Sequence, residues 1–115
     1  DKLWTMQRQI IEELGEKENC VIVGRCADYI LRDRADCLKV FIHRDFQSRA
    51  ERIVQVYGET EVPTEKRLKE KDKRRAAYYQ FYTDQKWADL ANYHIVLDSG
   101  VIGIEKCIDI IADLY

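Results

Sequence analysis

The residues of this 115-residue chain whose types and spacing suit chemistry are arginines, and the first of them follows an apolar run. Cys20-Val21-Ile22-Val23 is apolar without alternation, which predicts a strand buried on both faces of a parallel sheet. Ligands of such sheets bind just past the carboxyl ends of the strands. There Gly24 allows a sharp turn, and Arg25 offers a planar, permanently charged fork matched to phosphate oxygens. The stretch therefore predicts a phosphate-bearing ligand at Arg25.

A second set of cations lies downstream. Residues 65–75 hold seven Lys or Arg against three acids, a local charge of +4 on a chain whose net charge is −2. One basic segment on an acidic body points to a local anion site, not to a face coated for nucleic acid. The same run also fits a solvated helix laced with ion pairs such as Glu65 with Lys69. Arg49 and Arg52 share the polar side of an intervening helix.

The remaining reactive side chains suggest little chemistry. Cys20, Cys26, Cys37 and Cys107 include no C-x-x-C pair and read as reduced thiols, with Cys20 and Cys107 expected in the core. Cys26 sits beside Arg25, where a thiolate would be favoured. His43 and His94 read as strand-end residues with ordinary hydrogen bonds, and no metal site is expected in the protein.

Composition bounds the frame that must position these groups. With 46% hydrophobic and 35% charged residues, one proline and five glycines, the chain reads as one globular domain over 1–115. Apolar runs of four or five residues are too short to span a membrane, and a cytoplasmic location is the default expectation.

The elements alternate. Leu3, Trp4, Met6, Ile10, Ile11 and Leu14 predict a helix that stops at Gly15. After the strand at 20–23, a short helix over 27–32 should turn Ile30 and Leu31 inward, ahead of a polar loop, Arg32-Asp33-Arg34-Ala35-Asp36. A second strand spans Leu38 to about His43, with Leu38, Val40 and Ile42 on one face. Asp45 should cap a helix carrying Phe46, Ala50, Ile53, Val54 and Tyr57, ended by Gly58. Thr64 should cap a long helix reaching about Tyr82, and residues 59–82 as a whole read as a charged, lid-like arm projecting from the body. A third strand, His94 to Asp98, then a Ser99-Gly100 turn and a helix from Gly103 to Leu114 complete the chain, with Ile104, Ile108 and Ile111 buried. The alternation predicts the α/β class, a sandwich of helices around a parallel sheet.

Gly24-Arg25-Cys26-Ala27-Asp28-Tyr29, Asp36-Cys37-Leu38-Lys39-Val40-Phe41-Ile42, Lys71-Asp72-Lys73-Arg74-Arg75-Ala76, Tyr78-Tyr79, and Ile95 to Ser99 together resemble the cytidylate-kinase-like family of P-loop kinases. The similarity runs over most of the chain. It implies a three-layer sandwich of P-loop kinase type and phosphoryl transfer from ATP, with Mg²⁺ brought by the nucleotide, to a nucleoside monophosphate. By the same resemblance Gly24, Arg25, Asp28 and Arg52 bind the acceptor. Arg74 and Arg75 close over the transferring group, Asp72 orients them, and the backbone of Ser99, Gly100 and Val101 lies near the adenine. Such catalysis is mostly positioning and charge neutralisation.

Two features depart from typical cytidylate kinases: Cys26 replaces the aspartate that follows their glycine-arginine pair, and Tyr79 to Tyr82 replace their Pro-Leu lid segment. The sequence also contains no G-x-x-x-x-G-K-[ST] loop. The family's phosphate loop follows a first strand in mid-sheet, between the strands read at 20–23 and 38–43. The expectation is therefore the C-terminal part of a longer kinase, lacking its central first strand. Failing that, a second copy should pair with the open strands as a homodimer. The competing function is a non-catalytic nucleotide or nucleic-acid binding module, in which the basic helix and its tyrosines bind the ligand.

Overall fold

A computed structural model describes residues 1–34 and 36–115; Ala35 of the polar loop lies outside the described residues. The fold is helix-rich α/β around a two-stranded parallel sheet. Strand β1 (Val40–His43) pairs with β2 (Ile95–Asp98) in the register Val40 to Ile95 through His43 to Asp98. The connection between them holds helices α3 (Phe46–Tyr57) and α4 (Thr64–Thr83) and a 3₁₀ turn at Leu90–Asn92. Before the sheet come α1 (Lys2–Lys17) and α2 (Ala27–Ile30), and after it α5 (Ser99–Ile102) and α6 (Ile104–Leu114).

The strand expected at 20–23 is not part of this sheet. Val21 and Val23 are each 86% exposed and Cys20 is exposed, while Ile22 packs beside the core of Ile11, Ala27, Ile30 and Leu31. Apolar residues propose a strand, but only a neighbour can satisfy its backbone groups. Among the described residues none pairs with this segment.

Several boundaries also differ from expectation. Helix α1 runs through Gly15, because packing and not local flexibility selects glycine there: a Cβ would stand 3.1 Å from Leu31. Arg34 then donates to the Gly15 carbonyl at 2.9 Å and ties the following loop to α1. At α4 the N-cap position is Pro63, and Thr64 is the first helical residue with no side-chain cap. The last helix is broken at Gly103, whose φ of 94° is left-handed, and Ser99–Ile102 form a separate helical turn. Along α6 the buried residue is Cys107, whereas Ile104 and Ile108 are exposed. In β1 it is Phe41 that is covered, by Trp87 and Tyr93, while Ile42 on the other face is exposed.

Helix α3 matches its sequence signals at both ends. Asp45 accepts from the Ser48 amide at 3.0 Å, and Gly58, with φ 77°, follows the last turn. The charged half of α4 is not a free arm: it lies against α3, with Leu68 buried to 4% exposure and Ala50 buried. Leu68, the one apolar residue among ten charged ones, is buried there, and Asp72 pairs with Arg49 of α3 at 2.9 Å.

Candidate functional site

Gly24, Arg25 and Cys26 have φ of 70°, 58° and 58°, three left-handed residues in succession. For the two that carry a Cβ this conformation costs about 1–2 kcal/mol each. Local hydrogen bonds offset it. The Ala27 amide donates to the Gly24 carbonyl at 3.1 Å, and the Ile30 amide to the Cys26 carbonyl at 3.0 Å. The turn leaves the Arg25 side chain exposed, while Cys26 is buried and starts α2. Burial pushes the Cys26 thiol up to about 11, and the Asp28 carboxylate adds to the rise. This reverses the thiolate expected from Arg25, because Cys26 points into the protein and not toward its basic neighbour.

The C-terminal half of α4 grips this turn from two sides. Gln7 of α1 donates to the Arg25 carbonyl at 3.4 Å and to the Tyr78 hydroxyl at 3.1 Å. Tyr79, 5% exposed, donates its hydroxyl to Asp28 Oδ2 at 2.8 Å. Burial, and then the Asp28 carboxylate, raise the Tyr79 hydroxyl, and they push Tyr93 up to about 12. Tyr82 stacks on Trp4 with centroids 4.3 Å apart. A cleft of about 270 Å³ opens beside Asp28, lined also by Arg32, Lys39, Tyr79, Tyr93 and His94. His94 accepts from the Lys39 amide at Nδ1, 2.9 Å away, which places its proton on Nε2.

The other half of α4 holds the arginines. Asp72 receives Arg49 Nη1 at 2.9 Å and Arg75 Nη1 at 3.2 Å, so one carboxylate aligns an arginine from each helix. Arg25, Arg52 and Arg74 are exposed and form no ion pair among the described residues. Asp72 thus contacts Arg75 of the two arginines it was expected to orient.

Ser99, Gly100 and Val101 lie at the carboxyl ends of both strands, but their amides are partly committed. Asp98 Oδ1 accepts from the Gly100 and Val101 amides at 2.9 and 3.2 Å, capping α5. Arg44, which the sequence reading passed over, packs here: a Cβ on Gly100 would stand 3.0 Å from Arg44 Cγ. The tyrosine contacts with Gln7 and Asp28 were also missed. The Tyr78-Tyr79 doublet was their one sequence signal, and helical periodicity cannot tell a buried hydroxyl with a partner from a surface one.

Comparison with known proteins gives three findings. The model of the Cytidylate kinase-like family matches residues 1–101. A crystal structure of an uncharacterized protein from Eubacterium ventriosum is 32% identical, with a TM-score of 0.87, covering 96% of this chain and 63% of that one. This chain therefore spans less than two thirds of that protein's length. No curated protein matches. With the match extending over most of its length, the chain belongs to the cytidylate kinase-like family.

Proposed function

We propose that the chain forms the acceptor and lid part of a nucleotide-kinase-like phosphotransferase, one that moves a phosphoryl group from ATP to a cytidylate-like nucleoside monophosphate. The observation that carries this reading is the left-handed turn at 24–26, which buries Cys26 and leaves the neighbouring Arg25 exposed. Arg25 binds the acceptor phosphate, with Arg52 as a second cation from α3. Arg74 and Arg75 spread the charge that develops on the transferring group, and Asp72 fixes Arg75 for that task.

The residues fit ATP with Mg²⁺ only in part. Exposed arginines suit its phosphates, whereas the Gly100 and Val101 amides are already engaged by Asp98, so an adenine at this end would meet the exposed Val101 side chain instead. Mg²⁺ bound to the nucleotide neutralises phosphate charge. Competence further requires a glycine-rich phosphate loop, which residues 1–115 do not contain. A strand leading into that loop would complete a P-loop sheet and cover Val21, Val23 and the open edge of the sheet.

The test is phosphoryl transfer from ATP to CMP by a protein that carries this chain together with a phosphate loop. Arg25→Ala should lower kcat/KM for CMP at least a hundredfold with the fold intact by circular dichroism. Absence of turnover with every nucleoside monophosphate would refute the reading.

A further inference from the structure

From the two contacts between α4 and the left-handed turn, we infer that Tyr79 and Asp28 are positioning residues that set the register of Arg74 and Arg75 against Arg25. This inference rests on the phosphotransferase reading for its catalytic consequence, but its geometry stands independently. Tyr78 reaches the Arg25 carbonyl through Gln7, and Tyr79 reaches Asp28 directly, so adjacent residues of α4 hold the two ends of one short turn. Along a helix, residues four apart share a face and are separated by about 6 Å of rise. Arg74 therefore stands one turn above Tyr78, and Arg75 one turn above Tyr79.

The clasp is built more firmly than a surface contact. Tyr79 is nine-tenths buried, Thr83 at the end of α4 is buried with its hydroxyl on the Tyr79 carbonyl at 2.7 Å, and the Gln85 amide donates to that same hydroxyl at 3.1 Å. Rotation or sliding of α4 by one residue would pull the buried Tyr79 hydroxyl off Asp28 and cost the part-buried carboxylate this donor. Asp28 thus acts through Tyr79, with Oδ2 committed to the clasp.

Hydrogen exchange and kinetics with ATP and CMP, both on a protein that carries this chain together with a phosphate loop, test this together. Tyr79→Phe keeps the buried ring and deletes only the hydroxyl. Exchange of the amides at 27–31 should accelerate several-fold, and kcat should fall about tenfold with KM for CMP within twofold, since misplacement affects groups used in the transition state. Asp28→Ala should reproduce both effects, and Asp28→Asn, whose amide oxygen still accepts, should restore most of the loss. Unchanged exchange at 27–31 in Tyr79→Phe would overturn the clasp. Equal kcat in all variants would overturn its positioning role. A parent protein that transfers no phosphate would defeat the functional reading alone, leaving the exchange result to decide the clasp.

Discussion

The two halves of α4 are built from opposite materials and are held in opposite ways. Residues 64–75 are almost all charged and depend on Leu68 and Asp72 for their attachment to α3. Residues 76–83 carry Tyr78, Tyr79 and Tyr82, whose hydroxyls and rings reach α1 and the turn at 24–28. The first half keeps most of its cations exposed, Arg74 among them, although Arg75 is held by Asp72; the second spends its polar atoms on fixing the helix. A continuous helix joins them, so the anchored half determines where the charged half can place its arginines.

The comparison breaks most easily at Leu68. Leu68→Ala should cost about 3 kcal/mol in denaturant unfolding, a core-sized loss from a segment that reads as solvated. Phe81→Ala, in the aromatic half but 79% exposed, should cost less than about 0.5 kcal/mol. If the two losses came out equal, the charged half would be a free arm after all.

A smaller effect, read at high pH, separates the halves by chemistry. Cys26 has its folded value raised from 9.0 to about 11, and Tyr93 from 10.0 to about 12. The folded state holds these protons more tightly than the unfolded one. Stability from them is thus complete below pH 9 and declines as pH rises through about 11 and 12. Cys26→Ala should flatten the slope between pH 9 and 11. In the parent, exchange at 76–83 should rise in that window before exchange at 64–75 does.

A modest, salt-sensitive effect belongs to Asp72. Asp72→Ala removes partners from Arg49 and Arg75 and should cost about 1 kcal/mol, less at high salt, because both ends of the pair remain partly exposed.

Much of the frame was legible. Asp45 and Gly58 bracket α3 because a carboxylate that caps and a glycine that tolerates positive φ act locally, within one turn of chain. The Gly24-Arg25 pair was legible for the same reason. The segment at 20–23 was not, since alternation and apolarity report the side chains while pairing depends on a neighbour that no local pattern records. Gly15 was misread because glycine serves both as a helix stop and as a site of close approach, and only Leu31, sixteen residues away, distinguishes the two. Asp28 illustrates the limit at the site: the family resemblance implied a ligand role for it, and its hydrogen bond from a tyrosine 51 residues on had no local signal.

By itself the sequence determined the longer helices, the two paired strands, the presence of an anion-suited arginine at a turn, and the family. These follow from periodicity, caps and residue chemistry, all short-range properties. Tertiary structure alone decided that α4 is docked at both ends, that Asp72 unites Arg49 with Arg75, and that Cys26 is buried and protonated. Those outcomes depend on desolvation and on hydrogen bonds between residues remote in the chain, and their energies exist only once the chain has closed on itself.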